Sequence, residues 1–561
     1  MTILDISELT LDLPNGTRLL DGISLTVAEG ETVGLVGESG SGKSLTARSV
    51  LGLLPGGAVM GGSVQLFGRS VLDASRGELL ELRRTRASMI FQDPRAGINP
   101  MRTVGDHLTE TMRLCDGRSA AEARAVAISL MEAVHLPRPA EHLHQYPHEL
   151  SGGMLQRVMI AGALTSSPRL LICDEPTTAL DVTTQAEIIG VLAEQRASRG
   201  MGMLFITHDL NLAAAICDRV YVMSAGRVEE QGDARQVFRN PQADYTKRLV
   251  AATPTISVAG DRGRSPVDGS DAAATGVRSA TAPVPAEPML EAVGISKTYL
   301  RRGKEPVRAV IDATIEIPRG GALGVVGESG SGKSTLARMI VGLEQADAGD
   351  IRIAGRERAS ARASRAERLA HARSMQMVFQ DPYLSLDPRI TAGKAIEDAL
   401  RLHSRLGTTE ARARVIELLE QVGLRDAHAQ ARPRTLSGGQ RQRVAIARAL
   451  AIDPHVLVMD EATSALDVSV QAQVLGVVER IRRERGLTVL FISHDLAVVR
   501  RLCEQTVVMK TGEIVERGRT DELLSTPRHP YTRLLIDSVP RPDWQPETVA
   551  GEADALEEAA R

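Results

Sequence analysis

Gly37-Glu38-Ser39-Gly40-Ser41-Gly42-Lys43-Ser44 stands in the first half of this 561-residue sequence, and the same eight letters return as Gly327-Glu328-Ser329-Gly330-Ser331-Gly332-Lys333-Ser334. Both stretches fit the phosphate-loop pattern GxxxxGK[ST], in which backbone N–H groups and a lysine surround phosphates. The pattern alone occurs in many unrelated nucleotide-binding proteins. Its duplication at a domain-sized distance predicts two equivalent nucleotide-binding domains in one chain.

The residues that follow each loop repeat in the same order. The loop lysines are 333 − 43 = 290 residues apart, and Gln92 lies 288 residues before Gln380. Three later pairs are separated by a constant 286 residues: Ser151 and Ser437, Asp174 and Asp460, and His208 and His494. This strict register predicts that the two halves share one fold.

Length and composition favour two large globular domains. Hydrophobic residues make up 43% of the chain, an ordinary value for a protein with a buried core. We predict domains at 1–253 and 288–540, joined by a flexible linker at 254–287 that is rich in Ala, Gly, Ser, Pro, Asp and Thr. Residues 541–561 form an acidic, alanine-rich tail.

Several protein classes are disfavoured by the composition. No apolar run approaches the roughly 18 residues that span a bilayer, and no basic-then-apolar leader begins the chain, so we expect it in the cytosol. The net charge of −3 gives no electrostatic case for nucleic-acid binding. The four cysteines (Cys115, Cys173, Cys217 and Cys503) form no CxxC pair, which argues against a disulfide framework or a cluster site. Cys173 lies in an apolar run and is predicted to be a core residue.

The hydrophobic pattern predicts an α/β fold with a mostly parallel sheet. Residues 1–30 alternate apolar and polar around two turn signals, which indicates a small antiparallel sheet with hairpin turns. The predicted elements are turns at Pro14-Asn15-Gly16 and Asp21-Gly22, a strand at Thr32–Val36, a helix at Ser44–Leu54 ended by Pro55-Gly56-Gly57, a mostly helical stretch at about 104–165, and strands at Leu170–Cys173 and Leu204–Thr207.

Each phosphate loop follows a predicted strand and opens a predicted helix, the context that confirms the motif. The helix N-terminus adds partial positive charge beside the phosphates. Lys43 and Lys333 are predicted to reach the β- and γ-phosphates of a nucleotide. Ser44 and Ser334 are predicted to hold Mg²⁺.

Two further patterns predict catalytic and anion-binding groups. Apolar strands end in Asp174-Glu175 and in Asp460-Glu461. The aspartates suit a role at Mg²⁺, and the glutamates suit a base that polarises the attacking water. Ser151-Gly152-Gly153 and Ser437-Gly438-Gly439 each precede a helical pattern and predict a second anion-binding turn.

Together with Gln92, Gln380, Ala179-Leu180-Asp181, Ala465-Leu466-Asp467, His208 and His494, these motifs resemble the ATP-binding-cassette superfamily. The resemblance covers nearly the whole chain except the linker and the tail. It implies two tandem P-loop domains, each with a parallel-sheet core, an antiparallel β subdomain and a helical signature subdomain. It also implies ATP and Mg²⁺ as cofactors, and a head-to-tail sandwich in which each ATP lies between one phosphate loop and the opposite Ser-Gly-Gly turn.

Carried over residue by residue, the resemblance implies two composite sites. Site one combines Lys43, Gln92, Asp174, Glu175 and His208 with Ser437, Gly438 and Gly439. Site two combines Lys333, Gln380, Asp460, Glu461 and His494 with Ser151, Gly152 and Gly153. The histidines would contact the γ-phosphate, the glutamines would link Mg²⁺ and water to the membrane partner, and Asp181 and Asp467 belong to the nucleotide-binding set.

The halves depart from each other at three positions. Tyr299 is placed to stack on adenine, whereas the matching residue, Leu13, offers only apolar contact. Met154 replaces the usual glutamine of the signature, and Ala462 stands where the first half has Pro176. None of these changes removes a catalytic group, so we expect two hydrolysis-competent sites that bind nucleotide with unequal strength.

Finer motifs resemble the peptide/nickel importer ATPases, with the two subunits of that pair fused into one chain. The motifs are Met89-Ile90-Phe91-Gln92-Asp93-Pro94 with Asn99-Pro100, Met377-Val378-Phe379-Gln380-Asp381-Pro382 with Asp387-Pro388, Gln156-Arg157-Val158-Met159-Ile160-Ala161 after the first signature, and His529-Pro530-Tyr531-Thr532-Arg533-Leu534-Leu535. Many members carry a cysteine cluster after the Pro-Tyr-Thr segment. Neither half has one, so an iron–sulfur role is not supported.

Three function classes compete. An importer motor would work with two separate integral membrane permeases on the cytoplasmic face of the membrane, and indirectly with an extracytoplasmic solute-binding protein. A twin-cassette translation factor usually shows a charged helical linker and basic tails. A DNA-repair or chromosome ATPase normally needs a long insertion between loop and signature, where only about a hundred residues intervene here. We therefore favour the importer, with a di- or oligopeptide as cargo and nickel, a metal chelate or a modified peptide as alternatives.

Overall fold

The computed structural model describes residues 1–178, 180–254, 288–300, 305–358, 364–380, 385–404, 406–463, 466–541 and 544. The chain divides into two compact units, made mainly of residues 1–253 and of residues 254–536. Apart from Pro254, the predicted linker lies outside the described residues, as does the predicted tail apart from Arg541 and Trp544. Ala179, Ala465 and the Asp381-Pro382 pair also lie outside them.

The first unit contains ten strands in two sheets: β1 (Thr2–Asp12), β2 (Arg18–Ala28), β3 (Thr32–Gly37), β4 (Val59–Leu66), β5 (Arg69–Ser70), β6 (Ala87–Ile90), β7 (Leu170–Asp174), β8 (Gly202–Thr207), β9 (Arg219–Ser224) and β10 (Arg227–Asp233). One sheet is antiparallel, in the order β2-β1-β4-β5. The other has the order β10-β9-β3-β8-β7-β6 and is parallel except for the β9–β10 pair. The predicted fold class is therefore confirmed.

Eleven helices, in the described part of this unit, flank the sheets: α1 (Lys43–Val50), α2 (Arg76–Thr85), α3 (Pro94–Gly97), α4 (Val104–Leu114), α5 (Ala120–Ala133), α6 (Pro139–His142), α7 (Gly152–Leu164), α8 (Val182–Arg199), α9 (Leu210–Ile216), α10 (Ala234–Arg239) and α11 (Asp244–Ala252). A 3₁₀ turn covers Pro147–Glu149. The run from α4 to α7 confirms the predicted helical stretch.

Helix α1 is shorter than the predicted Ser44–Leu54. Gly52 adopts a left-handed conformation with φ of 62°. The N–H of Leu53 then donates to the carbonyl of Arg48 at 2.9 Å, which closes the last turn of the helix. Because glycine enters this conformation without steric cost, Gly52 ends the helix before Pro55 is reached.

Asp21-Gly22, predicted as a hairpin turn, lies inside strand β2. Gly22 has φ of 71°, and the pairing of β1 with β2 shifts register between Leu25 and Leu20. The pair therefore forms a bulge, in which an extra residue bends the strand without ending it. The turn predicted at Pro14-Asn15-Gly16 does connect the two strands.

The second unit repeats this architecture. Its strands are β11 (Pro288–Tyr299), β12 (Val307–Pro318), β13 (Ala322–Val326), β14 (Ala348–Ile353), β15 (Arg356–Glu357), β16 (Met375–Val378), β17 (Val456–Asp460), β18 (Thr488–Ile492), β19 (Gln505–Lys510) and β20 (Glu513–Arg519). The antiparallel sheet has the order β12-β11-β14-β15, and the mainly parallel sheet has the order β16-β17-β18-β13-β19-β20.

The described helices of the second unit are α12 (Lys333–Val341), α13 (Arg365–Ser374), α14 (Ala392–His403), α15 (Thr408–Gln421), α16 (Gly438–Leu450), α17 (Val468–Arg485), α18 (Leu496–Leu502), α19 (Thr520–Ser525) and α20 (Pro530–Asp537). Two 3₁₀ turns cover Asp426–Gln430 and Pro433–Thr435. Among the residues that the structure describes, no helix combines the length and the apolar character that crossing a bilayer requires.

The core of each unit lies between its two sheets and the helix that follows the phosphate loop. Strand β3 is buried along its whole length, as is β13 in the second unit. Cys173 is buried in β7, as predicted for a core residue. These buried strands fix the position of the loops at their carboxyl ends.

Candidate active sites

The parallel sheet brings the predicted site residues of the first unit to one edge. Strand β3 lies between β8 and β9, and β7 lies beside β8. Because parallel strands end at the same edge of a sheet, the phosphate loop after β3, Glu175 after β7 and His208 after β8 meet there. Gln92 follows the neighbouring strand β6 and reaches the same edge.

The first glycine of each phosphate loop is required by close packing. Gly37 has φ of 150°, and a Cβ at this position would lie 2.2 Å from the carbonyl oxygen of Met223. Gly327 has φ of 149°, and its Cβ would lie 2.2 Å from the carbonyl oxygen of Met509. A side chain would therefore displace the loop from the sheet, and the curved backbone that receives phosphates depends on glycine.

Lys43 folds back over the loop. Its Nζ donates to the carbonyl oxygens of Gly37 and Glu38, both at 2.8 Å. Burial lowers the pKa of Lys43, and the nearby Glu175 and Asp174 oppose that shift. The ammonium is thus held within the concave face of the loop, where a β- or γ-phosphate would replace the carbonyl oxygens as its acceptor.

Ser44 and Asp174 form the predicted metal-facing pair. The hydroxyl of Ser44 donates to Oδ1 of Asp174 at 2.7 Å. The second oxygen, Oδ2, is buried and has no hydrogen-bond partner among the described residues. Burial raises the pKa of Asp174 because the carboxylate loses hydration. A hydroxyl beside a buried, under-satisfied carboxylate oxygen is a donor set that fits Mg²⁺, which prefers oxygen ligands.

Glu175 is held by three donors that converge on one carboxylate oxygen. Gln92 Nε2 approaches Oε2 at 2.8 Å, Thr178 Oγ1 at 2.9 Å and His208 Nδ1 at 3.3 Å. Glu175 also has φ of 48°, an uncommon conformation for a residue with a side chain. The turn after β7 thus holds this carboxylate where Gln92, which follows β6, and His208, which follows β8, contact it.

Opposite charges set the protonation of the Glu175–His208 pair. Burial alone would raise the pKa of Glu175, but the hydrogen bond from His208 and its positive charge lower the pKa to about 2. Burial alone would lower the pKa of His208, but its hydrogen bond to Glu175 and the charge of that carboxylate raise it. Glu175 is consequently ionised at neutral pH, which is the state that a base requires.

The second unit reproduces these contacts. Lys333 Nζ donates to the carbonyl oxygens of Gly327 and Glu328 at 2.8 and 2.7 Å. The remaining pairs are Ser334 Oγ with Asp460 Oδ1 at 3.0 Å, Gln380 Nε2 with Glu461 Oε2 at 2.8 Å, and His494 Nδ1 with Glu461 Oε2 at 3.7 Å. Burial raises the pKa of Asp460. Two independent copies of one arrangement indicate two equivalent sites.

The Ser-Gly-Gly turns begin the signature helices, as the sequence predicts. The Ser151 hydroxyl caps α7 by accepting the N–H of Met154 at 3.3 Å, and the Ser437 hydroxyl caps α16 by accepting the N–H of Gln440 at 3.3 Å. Gln440 returns a second bond, from the Ser437 N–H to its Oε1 at 3.0 Å. Met154 cannot form this reciprocal bond, so the first cap lacks the stabilisation that a full capping box provides.

The aspartates predicted in the nucleotide-binding set lie at the starts of the next long helices. Oδ1 of Asp181 accepts the N–H of Thr184 at 3.0 Å at the start of α8. Oδ1 of Asp467 accepts the hydroxyl of Ser469 at 3.4 Å at the start of α17. Asp181 thus caps α8, and contact of either aspartate with nucleotide stays a prediction.

Strand register supports the pairing of Leu13 with Tyr299. Leu4 pairs with Leu66 as Leu290 pairs with Ile353. Leu4 and Leu290 are 286 residues apart, as are Leu13 and Tyr299. Tyr299 ends β11, and its hydroxyl donates to Glu344. Leu13 follows β1 and is half-buried. The two positions are thus structurally equivalent, and their contact with adenine stays a prediction.

Three further site residues were missed by the sequence reasoning. Thr178 supplies one of the donors to Glu175. Tyr245 and Tyr531 contact the phosphate loops through the N–H groups of Glu38 and Glu328. The repeat itself held the signal for the tyrosines, since they are separated by the same 286 residues as the signature serines.

Comparison with known proteins decides the family. A family model described as "ABC transporter" matches residues 20–178 and 310–464. A second, described as "Oligopeptide/dipeptide transporter, C-terminal region", matches residues 229–276 and 515–561. The chain belongs to the ABC transporter ATP-binding proteins.

Curated relatives extend the match over more than nine-tenths of the chain. The glutathione import ATP-binding protein GsiA of Salmonella paratyphi A is 42% identical over 566 residues, which cover 96% of this chain and 90% of that protein. GsiA of Escherichia coli K12 is 41% identical over 537 residues, covering 92% of this chain and 86% of that protein. Among solved structures, the ATP-binding cassette MJ0796 in a post-hydrolysis state with ADP and Pi is 31% identical over 41% of this chain and 99% of that chain, with a TM-score of 0.39.

These matches confirm the predicted family: a fused two-cassette ATP-binding protein of the peptide-class ABC importers. Each unit of the fold is one ATPase cassette, and such a subunit works with membrane permeases. The same matches favour the importer over the translation-factor and DNA-repair alternatives.

Proposed function

We propose that this ABC importer ATPase hydrolyses ATP at both phosphate loops and drives uptake of a short peptide through two separate permease subunits. The observation that carries the proposal is the duplication of a complete site: loop lysine, serine–aspartate pair, glutamate, glutamine and histidine all recur with the same contacts. Neither copy has lost a catalytic group.

Nucleotide binding is proposed at the eight-residue loops. Their backbone N–H groups and Lys43 or Lys333 would hold the phosphates, while Leu13 or Tyr299 would meet the adenine ring. The turns at Ser151-Gly152-Gly153 and Ser437-Gly438-Gly439 would complete nucleotide binding, as the family resemblance implies. Asp181 and Asp467 are assigned to the same nucleotide-binding set.

Mg²⁺ is proposed to be held by Ser44, Asp174 and Gln92 in the first cassette and by Ser334, Asp460 and Gln380 in the second. The metal would neutralise the charge that develops on the phosphates during transfer. Glu175, ionised beside His208, would orient the attacking water and accept its proton. Glu461 and His494 would do the same in the second cassette.

The cargo is proposed from the relatives. Both GsiA proteins are named for glutathione import, and the C-terminal model is described for oligopeptide and dipeptide transporters. Glutathione is a small modified peptide, so these descriptions agree on peptide chemistry. Nickel or a metal chelate is the alternative cargo class that the family leaves open.

The location follows from the partners. We propose that the chain lies on the cytoplasmic face of the membrane, attached to two integral membrane permeases through surfaces near Gln92 and Gln380. An extracytoplasmic solute-binding protein would contact the permeases and not this chain. Gln92 and Gln380 donate to the catalytic glutamates, so movement at a permease contact would change the position of the base.

Membrane fractionation tests the proposal. In cells that express the permeases, we expect most of the chain in the membrane fraction and two integral membrane proteins to co-purify with it. When the permease genes are deleted, little of the chain should remain with membranes. A chain that sediments with ribosomes regardless of the permeases would contradict the importer function and favour a role in translation.

A further inference from the structure

Two tyrosines outside the predicted site sets touch the phosphate loops from the C-terminal segment of each cassette, which we define as residues 227–252 and 513–537. The hydroxyl of Tyr245 accepts the N–H of Glu38 at 3.2 Å. The hydroxyl of Tyr531 accepts the N–H of Glu328 at 3.0 Å. Both contacts reach the second residue of a loop, so the same link occurs in each cassette.

The peptide unit that receives this contact is the one that holds the loop lysine. The carbonyl of Gly37 accepts Lys43 Nζ at 2.8 Å, while the N–H of the same peptide, on Glu38, donates to Tyr245. In the second cassette the carbonyl of Gly327 accepts Lys333 Nζ at 2.8 Å, and the N–H of Glu328 donates to Tyr531. Each tyrosine therefore fixes the plane of a peptide that also positions the phosphate-binding lysine.

In each C-terminal segment, the residues shortly before the tyrosine are hydrogen-bonded to a strand of the sheet. Glu230, on β10, accepts the N–H groups of Gln242 and Ala243 at 2.8 and 3.0 Å. Glu516, on β20, accepts the N–H groups of Arg528 and His529 at 2.9 and 3.0 Å. The two glutamates are again 286 residues apart. These contacts fix the start of the helix that carries each tyrosine.

The surroundings of the two tyrosines differ. Tyr531 is 1% exposed, and the ammonium of Lys510 lies 4.9 Å from the centre of its ring. Tyr245 is half-buried, and Ser224 occupies the position that corresponds to Lys510. Burial raises the pKa of Tyr245, so its hydroxyl is neutral at physiological pH.

We propose that Tyr245 and Tyr531 are positioning residues that hold the first peptide of each phosphate loop in its nucleotide-binding orientation and join that loop to the C-terminal segment. The proposal rests on the nucleotide sites proposed above. Without the hydroxyl, this peptide loses the hydrogen bond at its N–H and keeps only the one at its carbonyl. The carbonyl that accepts Lys43 or Lys333 is then free to rotate. The expected consequence is weaker nucleotide binding in a correctly folded protein.

Phenylalanine substitutions test the proposal because they remove only the hydroxyl. Tyr245→Phe and Tyr531→Phe are made separately in the full chain, and the Kd for MgATP is measured with the KM and kcat of hydrolysis. We expect each variant to raise Kd and KM about three- to tenfold, the factor for one neutral hydrogen bond, with a smaller change in kcat.

Tyr221→Phe is the matched control. Tyr221 is 3% exposed, and its hydroxyl accepts the N–H of Thr26 at 3.3 Å in the first cassette. Like the two test substitutions, Tyr221→Phe removes a tyrosine hydroxyl that accepts a backbone N–H. The N–H in this case belongs to strand β2 and not to a phosphate loop. Nucleotide affinity should stay at the wild-type value in this variant.

The outcomes separate the inference from the proposed function. Failure of the wild-type chain to bind MgATP would contradict both. If the wild type binds MgATP and the Tyr245→Phe and Tyr531→Phe variants bind it equally well, only the positioning role is contradicted. A melting temperature lowered without any change in nucleotide affinity would likewise overturn the positioning role and assign the hydroxyls to stability alone.

Discussion

At the scale of single residues, Glu175 and Glu461 combine an unfavourable backbone with a constrained side chain. Both have positive φ, 48° and 46°, and the N–H of each donates at 3.0 Å to the strand that precedes the histidine, at Ile206 or Ile492. Such conformations cost about 1–3 kcal/mol and persist where the surroundings enforce them. Their recurrence at the same point in both cassettes agrees with a catalytic role for this carboxylate.

The adenine contact gives a prediction at the same scale. In a chain whose first site is disabled by Lys43→Ala, Tyr299→Ala should weaken nucleotide binding at the second site. With Lys333→Ala disabling the second site, Leu13→Ala should weaken binding at the first site less. The difference arises because aromatic stacking contributes about 0.5–1.5 kcal/mol beyond burial. Calorimetry on the two double variants measures it.

Tyr299→Phe is the control for this prediction. It keeps the ring but loses the hydroxyl that donates to Glu344, so most of the affinity should remain. A larger loss from Leu13→Ala than from Tyr299→Ala would show that the adenine ring lies elsewhere.

At the scale of elements, the C-terminal segments depend on an ionised glutamate. The N–H groups of Arg528 and His529 donate to Glu516, and these bonds lower its pKa against the effect of burial. A carboxyl group with a lowered pKa stabilises the folded state above its unfolded pKa of about 4.3, and that stability is lost as pH falls through the lower folded value.

Glu516→Gln should therefore lower the free energy of unfolding at pH 7 by about 1 kcal/mol, which is seen as a lower melting temperature. The difference from wild type should stay constant down to about pH 5 and shrink at lower pH, where the wild-type carboxylate takes up a proton. Thermal unfolding across pH measures this. Glu513→Gln, an exposed position on the same strand, is the control. A difference that grew as pH fell would contradict the sign of the pKa shift.

Element boundaries show where sequence reasoning succeeded and where it failed. Strand ends and helix starts at the sites were predicted because glycine, serine and acidic residues mark them locally. Two predictions were wrong: α1 ends earlier than predicted, and Asp21-Gly22 forms a bulge in β2 where a turn was predicted. At both places a glycine, Gly52 or Gly22, takes a left-handed conformation that depends on surrounding packing. In the sequence, Pro55 is a stronger signal for a helix end than Gly52 is, and Asp21-Gly22 is a common hairpin-turn pair, so both local signals favoured the wrong boundary.

At the scale of the whole molecule, the duplication is the feature on which the prediction of the sites rests. The repeat predicts the catalytic residues of both cassettes, because spacings of 286 to 290 residues join motifs that are weak when taken alone. The tyrosine contacts were not predicted. Tyr245 meets Glu38 across 207 residues of sequence, and Tyr531 meets Glu328 across 203. Only the folded sheet brings such distant residues together.

The central claim is that this chain hydrolyses ATP at two sites, each with its own catalytic glutamate. The most direct test is steady-state phosphate release by the full chain carrying both Glu175→Gln and Glu461→Gln, with MgATP binding measured on the same preparation. Because a general base contributes about 10²–10⁴-fold, we predict a loss of at least about a hundredfold in turnover with nucleotide affinity retained. Hydrolysis at the wild-type rate in this double variant would contradict the claim.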